Sequence, residues 1–314
     1  MKKQNSLYLI ILFILFKNSV LAQQDIDKSI TVDNIQRHYI IHLPSGYNSL
    51  QKIPIIFALH GGGGTDKNTV KLYNLNGLAD KNGCIVVYPN AINKAWNMPG
   101  ISSRVKGLDK SVDDIKFISS LIDSIVANYK GDDKRVFCTG ISRGGMFSLY
   151  LAYKLSDRIT GIAPVCASIS HTIANDYTFS HPTPVLLING TSDPLVSYNG
   201  GAGKFNKANE ASQDADMLAT EDLVKKIITL NRCNSLPIET AIADNDKGDG
   251  CTAINYTYIC NTGAAVEFIK VINGGHTWPG GTQYLPKIII GNLCKDFSAS
   301  EKIMAFFMNI PSKL

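Results

Sequence analysis

The chain has 314 residues, of which 45% are hydrophobic and 18% are charged. Together with 26 glycines and 12 prolines, this balance excludes a disordered chain, a collagen-like repeat and a coiled coil. The length fits one large α/β domain or two small ones. The net charge of +5 is weak and scattered, which excludes a nucleic-acid-binding protein, because such a protein needs a basic stripe.

The first 22 residues have the pattern of a secretory signal peptide. A basic start, Met1-Lys2-Lys3, precedes the apolar run 7–16, and small residues occupy positions −3 and −1 of a cleavage site after Ala22. Ten apolar residues are too few for a membrane span, which needs roughly 20. We therefore expect a secreted or periplasmic mature chain, 23–314, without a membrane anchor. Loss of three lysines would lower its net charge from +5 to +2.

The seven cysteines cannot all pair within one exported chain, so at least one thiol is free. Three lie in apolar runs typical of buried strands: Cys84, Cys138 and Cys166. Four lie in the loop-rich C-terminal third and are the stronger candidates for disulfides: Cys233, Cys251, Cys260 and Cys294. No CxxC or HExxH motif indicates zinc, and the acidic stretch 244–249 lacks EF-hand spacing and is interpreted as a solvated turn. We expect neither a metal nor a cofactor.

From about Ile35 onwards, short apolar runs alternate with amphipathic stretches, which predicts a mostly parallel sheet with helices on both faces. The strongest predicted strands are 37–43, 53–59, 84–89, 135–140, 184–190 and 266–272. Helical spacing predicts a helix within 112–129 and a last helix within 298–310. No stretch resembles an interdomain linker, so 23–314 is predicted to be a single domain, with a long surface loop over 198–216.

A nucleophile elbow is predicted at Gly140-Ile141-Ser142-Arg143-Gly144, which directly follows an apolar strand and precedes a helical pattern. Its glycines are needed because strand and helix approach too closely there to admit a Cβ. The turn places the Ser142 hydroxyl at the carboxyl edge of the sheet. A helix-capping serine in a glycine-rich loop is the alternative.

Such a serine needs a histidine that takes its proton and an acid that orients the histidine. Asp193 follows the strand 184–190 at the same sheet edge, and an Asp-Pro turn is the alternative there. His276 follows the strand 266–272 within a glycine-rich loop. The other histidines lie in a strand pattern, where we expect half-exposed residues, or in polar and glycine loops: His38, His42, His60, His171 and His181.

An oxyanion hole is predicted from the glycine run that follows the strand 53–59, His60-Gly61-Gly62-Gly63-Gly64. The run matches the HGGG pattern, in which one backbone N–H acts together with that of the residue after the nucleophile, here Arg143. Gly62 or Gly63 would supply the second N–H. A phosphate-binding loop is disfavoured, because neither GK[ST] nor GxGxxG spacing is present.

These motifs together resemble the secreted polyhydroxybutyrate depolymerase and feruloyl esterase group, of the carbohydrate esterase family 1 type. The resemblance runs from about Ile53 to Phe307 in the order HGGGG, AWN, VDDIKFI, RVFCTGISRGGM, GIAPV, NGTSDPLVSYNGG, NRC, GGHTWPGG and SASEKIMAFF. It implies an α/β-hydrolase fold and the catalytic triad Ser142, Asp193 and His276. It further implies a disulfide between Cys233 and Cys260, and a position for Trp96 near the substrate pocket. His60 and Trp278 are further candidates for residues that bind the substrate.

Two departures from the group bear on the substrate. Arg143 stands where the group usually has a small or amide-bearing residue, so a cation beside the pocket would favour an acidic or phenolic group. Polymer-degrading depolymerases of this type carry a separate binding domain, and we expect none in 23–314.

The sequence thus predicts a serine carboxylic-ester hydrolase that forms an acyl-enzyme. Feruloyl or acetyl esters of plant polysaccharide are its expected substrates, and a hydroxybutyrate polyester or oligomer is the alternative. A catalytically silent glycan-binding module is the alternative outside enzymes.

Overall fold

The computed structural model describes residues 24–99, 108–109, 111–201 and 216–313. The expected signal peptide and most of the expected loop 198–216 lie outside these residues. Ten strands form one sheet within the described part of the chain. They are β1 Gln24–Val32, β2 Ile35–Leu43, β3 Ile53–Leu59, β4 Ile85–Pro89, β5 Gly131–Ile141, β6 Gly161–Val165, β7 Val185–Gly190, β8 Ile238–Ile242, β9 Thr252–Tyr258 and β10 Val266–Ile272.

The strand order is β1-β2-β4-β3-β5-β6-β7-β10-β9-β8. The six central strands, from β4 to β10, pair in parallel, whereas β1, β2, β9 and β8 pair antiparallel at the two edges. The carboxyl ends of β5, β7 and β10 therefore lie at one edge of the sheet, where ligand sites of open α/β sheets occur.

Helices cover both faces of this sheet. They are α1 Asp66–Tyr73, α2 Asn76–Asn82, α3 Asp114–Tyr129, α4 Arg143–Lys154, α5 His171–Ala174, α6 Thr220–Leu230, α7 Lys287–Ile290 and α8 Ala299–Asn309. Side chains alternate along β3, because successive residues of a strand point to opposite faces. Ile55 and Phe57 pack with α3 and α4 in one core, while Ile56 and Ala58 pack with α2 and α8 in the other.

Local sequence explains where several helices begin. The side chains of Thr65, Asp113 and Ser298 accept hydrogen bonds from backbone N–H groups in the first turns of α1, α3 and α8. Such caps satisfy donors that the helix itself leaves without a partner.

All six of the strongest predicted strands and both predicted helices are present. Of the other four strands, β6 corresponds to the apolar run that precedes Cys166, and three were not predicted: β1, β8 and β9. Most side chains of β8 are exposed, so its sequence lacks the buried apolar run that marks the central strands. The expectation for His42 is wrong, because this side chain is fully buried and contacts Asp25 at 2.8 Å and Asp80 at 3.2 Å.

No helix in the described ranges is long and apolar enough to cross a membrane.

Candidate active site

Ser142 occupies a strained turn between β5 and α4. Its φ of 57° and ψ of −125° lie in a region that residues with a side chain rarely adopt. Its backbone N–H donates to the Val165 carbonyl at 2.9 Å, which fixes the turn to the neighbouring strand β6. A Cβ on Gly140 would lie 2.5 Å from the Leu59 oxygen, and a Cβ on Gly144 only 2.1 Å from it. The strand and the helix therefore approach each other as closely as the two glycines indicate.

Asp193 and His276 form a buried hydrogen-bonded pair. Asp193 Oδ2 lies 2.7 Å from His276 Nδ1, and both side chains are 2% exposed. The second carboxylate oxygen, Oδ1, accepts the backbone N–H groups of Leu195 at 2.8 Å and Val196 at 2.9 Å. These bonds fix the carboxylate, so that it can hold the imidazole in one orientation and in the tautomer with its proton on Nδ1.

The loops after β7 and β10 are tied to each other, which brings Asp193 and His276 together. The Thr191 N–H donates to the Val271 carbonyl and the Ser192 N–H donates to the Gly274 carbonyl, each at 2.9 Å. The Asn273 N–H donates in return to the Thr191 hydroxyl at 2.8 Å. These reciprocal bonds fix the two loops in register.

Cys166 packs beside the pair, at a position that no motif of the sequence predicts. Its sulfur, the Asp193 carboxylate and the His276 imidazole offer ligand atoms within 4.8 Å of one another. The thiol donates to the Thr277 carbonyl at 3.3 Å, and burial raises its pKa well above the ordinary value. Cys166 therefore fills the space behind the carboxylate as a neutral thiol.

Ser142 and His276 line one cavity of about 740 Å³ at the carboxyl edge of the sheet. The Ser142 hydroxyl and His276 Nε2 hydrogen bond to no group among the described residues. Tyr284, another residue that sequence reasoning missed, lines the same cavity and donates its hydroxyl to the His276 carbonyl at 2.8 Å.

The glycine run after β3 also lines the cavity, and its hydrogen bonds distinguish between the two candidate donors. The Gly63 N–H donates to the Lys94 carbonyl at 3.0 Å, and the Gly64 N–H donates to the Gly61 carbonyl at 3.0 Å. Among the described residues the Gly62 N–H has no acceptor. Gly62 is thus the candidate whose donor is free for an oxyanion, and Gly63 is not.

Neither Trp96 nor Trp278, the two tryptophans expected to contact the substrate, has a side chain that lines the cavity. Trp96 is 1% exposed; it lies beneath the glycine run, where its indole N–H donates to the His60 carbonyl at 2.9 Å. Trp278 is equally buried, stacks on Tyr73 with 3.9 Å between ring centroids and donates to the Ser300 hydroxyl. Both tryptophans support the loops of the site from behind.

His60 borders the cavity, but its ring shapes the loop. Nδ1 contacts the Gly61 carbonyl at 2.8 Å, and Nε2 accepts the Ala91 backbone N–H at 3.0 Å. Burial lowers the pKa of His60, so the ring is neutral with its proton on Nδ1. Both nitrogens are occupied, so the ring offers no polar atom to a substrate.

The described cysteines divide into a disulfide and five buried thiols. Cys233 and Cys260 form the disulfide. Cys251 and Cys294, which were also candidates for disulfides, are buried free thiols close to Asp249. The expectation of a solvated turn is wrong for Asp249, which is only 8% exposed. Its two carboxylate oxygens accept the backbone N–H groups of Cys251 and Lys295, each at 2.6 Å.

The site provides the groups needed for acyl transfer. They are a serine hydroxyl, an imidazole and a buried carboxylate at one sheet edge, beside a free backbone donor.

Comparison with known families agrees with this chemistry. The Esterase family model matches residues 31–194, which is more than half of the chain. The chain belongs to the Esterase family. It is therefore a carboxylic-ester hydrolase, which excludes the catalytically silent glycan-binding module.

Two curated relatives illustrate the similarity of this esterase to known sequences. It is 26% identical over 285 residues to "Putative esterase NocK" of Nocardia uniformis subsp. tsuyamanensis, covering 90% of this chain and 82% of the relative. It is 25% identical over 246 residues to feruloyl esterase B of Piromyces equi. In that case 76% of this chain aligns, but only 42% of the relative.

Solved structures support the α/β-hydrolase fold. The acetyl xylan esterase from Aspergillus awamori has a TM-score of 0.58 at 15% identity, covering 90% of this chain and 98% of the other. A ferulic acid esterase of the CE1 group from Anaeromyces mucronatus has a TM-score of 0.52 at 16% identity, covering 94% and 93%. At these identities the likeness concerns the fold alone. The expected α/β-hydrolase fold is thus confirmed.

Proposed function

We propose that the esterase is a serine hydrolase that works through an acyl-enzyme, with Ser142 as nucleophile, His276 as base and Asp193 as the acid that orients the base. The observation that carries the proposal is the buried 2.7 Å contact between Asp193 and His276 beside the cavity that Ser142 lines. Asp193 holds the Nδ1 proton, which leaves Nε2 of the neutral imidazole to accept the Ser142 proton.

In the first half of the reaction, Ser142 Oγ bonds to the ester carbonyl carbon while its proton passes to His276 Nε2. The tetrahedral intermediate collapses when the carbon–alkoxide bond breaks, and the imidazolium gives its proton to the departing alcohol. In the second half, His276 takes a proton from water, whose oxygen attacks the acyl carbon. The acid then leaves and the proton returns to Ser142.

The negative oxygen of each intermediate accepts hydrogen bonds from two backbone N–H groups in this proposal, those of Gly62 and Arg143. The choice of Gly62 over Gly63 rests on the bond that occupies the Gly63 N–H. Each such donor contributes about 3 to 4 kcal/mol to the stability of a transition state.

The proposed substrates are feruloyl or acetyl esters of plant polysaccharide. The named activities of two relatives of this chain, a feruloyl esterase and a bifunctional acetylxylan esterase/xylanase, support this class. The proposed place of action is outside the cytoplasm, after cleavage of the signal peptide 1–22 behind Ala22.

A hydroxyalkanoate oligomer is the second candidate substrate, and one structural observation favours it. Tyr284 and Leu285 are partly exposed and line the cavity, and Ile288 and Ile289, which follow closely in the chain, are exposed as well. An apolar rim suits an aliphatic polyester chain better than a hydrated sugar.

The deciding experiment compares purified residues 23–314 with their Ser142→Ala variant on methyl ferulate, acetylated xylo-oligosaccharide and a short 3-hydroxybutyrate oligomer. Wild type is expected to cleave at least one of them, and the variant to lose activity by a factor of about 10⁴ or more. The preferred ester identifies the substrate class. Equal activity of variant and wild type would refute Ser142 as nucleophile.

A further inference from the structure

The charged side chains that line the cavity are basic. Two basic side chains, Arg143 and Lys71, line it, and no Asp or Glu is among its lining residues in the described part of the chain. Asp193, the acid of the proposed triad, is engaged by the His276 imidazole and two backbone N–H groups. The space that receives the ester is therefore positive.

Arg143 reaches from the nucleophile elbow across the oxyanion loop. A Cβ placed on Gly62 would lie 2.9 Å from Arg143 Cδ, 3.2 Å from Nε and 3.5 Å from Cζ. The arginine side chain thus lies against Gly62, the candidate donor whose N–H is free. Its guanidinium group therefore lies beside the oxyanion loop and lines the cavity.

This guanidinium has no anionic partner among the described residues, in contrast to two other arginines of the chain. Arg37 pairs with Asp114, and Arg158 pairs with Asp123, each at 2.5 Å. Arg143 is half-buried without such a pair, and burial lowers its pKa. A partly desolvated cation is stabilised strongly by an anion. A carboxylate suits a guanidinium group because its two oxygens can accept two parallel N–H hydrogen bonds.

We propose that this site selects esters that carry a carboxylate close to the scissile carbonyl, and that Arg143 binds that carboxylate, with Lys71 adding charge at the cavity wall. The inference rests on the proposed serine hydrolase function and names its substrate class. Two sources offer this chemistry: a uronic acid next to an esterified sugar, and the free acid end of a hydroxyalkanoate oligomer.

Two matched substrate pairs test the proposal, and the members of each pair differ at one carboxyl group, which is charged in one member and replaced by a neutral group in the other. One pair is an acetylated xylo-oligosaccharide bearing glucuronic acid and the same compound with its carboxyl group reduced to the alcohol. The other is a 3-hydroxybutyrate trimer as the free acid and as its primary amide, which is neutral and adds no further ester. We expect wild type to prefer the charged member of at least one pair by about tenfold in kcat/KM. The pair that shows the preference identifies the source.

The Arg143→Gln variant is expected to bring the ratio of kcat/KM for the charged and the neutral member close to one. Arg143→Lys should restore part of this ratio, because it returns the charge without the planar guanidinium group. Lys71→Gln should lower the ratio less. The matched control is Lys67→Gln, which removes an exposed cation from the same helix outside the cavity and should leave the ratio unchanged. The preference of wild type should also shrink in 0.5 M salt.

A ratio of one for both pairs in an active wild type would overturn the inference and leave the serine hydrolase proposal intact. An equal fall in kcat/KM for both members of a pair in Arg143→Gln would also overturn it. The guanidinium group would then stabilise the oxyanion of every ester, whatever its charge. If wild type cleaves no member of either pair, or Ser142→Ala cleaves them as fast, the proposed function itself fails.

Discussion

Gly144 lies so close to the carbonyl group of Leu59 that a Cβ on Gly144 would be only 2.1 Å from the Leu59 oxygen. The same Cβ would be 2.7 Å from the His60 oxygen. Both neighbours are backbone atoms at the start of the oxyanion loop, so neither can move aside as a flexible side chain could. The first turn of α4 and the end of β3 therefore meet at a position that admits only glycine.

We expect Gly144→Ala to lower the free energy of unfolding by about 3 kcal/mol or more, as overpacking against backbone forces the strand and helix apart. Urea denaturation measures this change. Gly77→Ala is the matched control, because its Cβ would meet nothing within 4 Å and alanine favours the helix α2. A Gly144→Ala variant as stable as wild type would contradict the close packing.

Trp96 is expected to act as a positioning residue for the oxyanion loop. Trp96→Phe keeps an aromatic ring against Phe147 but removes the N–H that holds the His60 carbonyl. A buried carbonyl without a donor costs about 1 to 3 kcal/mol of stability. The loop would also lose its fixed orientation, so kcat should fall by about tenfold while KM changes little.

Trp278→Phe serves as the comparison for this variant. It too removes one buried indole N–H, the donor to Ser300, but that group does not touch the oxyanion loop. The two variants should lose similar stability, and only Trp96→Phe should lose much of its kcat. A comparable loss of kcat in both would contradict a specific role of Trp96. Kinetics on a chromogenic acetyl ester and urea denaturation supply the two readouts.

The contrast between Ser142 and the tryptophans shows what the sequence could predict. The elbow follows from a pattern of five adjacent residues, and Asp193 and His276 each follow a recognisable strand, so local signals suffice to place them at one sheet edge. The side of a loop on which Trp96 or Trp278 packs depends on distant partners, His60 and Ser300. Likewise, Lys94 lies far along the chain from Gly63, yet its carbonyl decides which glycine N–H stays free.

Stability should fall at low pH through His60. Its folded-state pKa lies below the ordinary value of 6.5, chiefly because burial disfavours the charged ring. Its Nε2 also accepts the Ala91 N–H, which a protonated ring could not do. Between the two pKa values the unfolded chain binds a proton that the folded chain does not. The free energy of unfolding therefore decreases as pH falls below about 6.5, by at most about 1.4 kcal/mol per pH unit for this proton.

The His60→Asn variant isolates this contribution. It is expected to be less stable at pH 8 but to lose less stability than wild type between pH 7 and pH 5. Urea denaturation at a series of pH values gives both slopes. Identical slopes for the two proteins would show that the titration of His60 does not contribute.

Removal of the Cys233–Cys260 disulfide should affect stability without affecting catalysis. The bond joins residues 27 positions apart, and closing a loop of this size contributes about 2 to 4 kcal/mol. The double variant Cys233→Ser/Cys260→Ser should lower the free energy of unfolding by this amount. Neither cysteine lines the cavity, so kcat should stay close to that of wild type. A large loss of kcat in a folded variant would indicate that the disulfide supports the site.

Asp193→Asn provides the sharpest test of how the imidazole is held. Asparagine keeps the shape of the side chain and can still accept the N–H groups of Leu195 and Val196 through its amide oxygen. Its amide nitrogen would then face His276 Nδ1 as a donor, which favours the wrong imidazole tautomer. We expect kcat to fall by about 10⁴ with the fold retained, as measured on a chromogenic acetyl ester.

Asp296→Asn is the matched control for this change. Asp296 is also buried, and its Oδ1 likewise accepts two backbone N–H groups, those of Asn245 and Asp246, but it lies outside the cavity. This variant should lose some stability and keep its kcat. If Asp193→Asn kept more than about a tenth of the wild-type kcat, the carboxylate would serve only to anchor its loop. Cleavage would then need a different group to set the tautomer of His276.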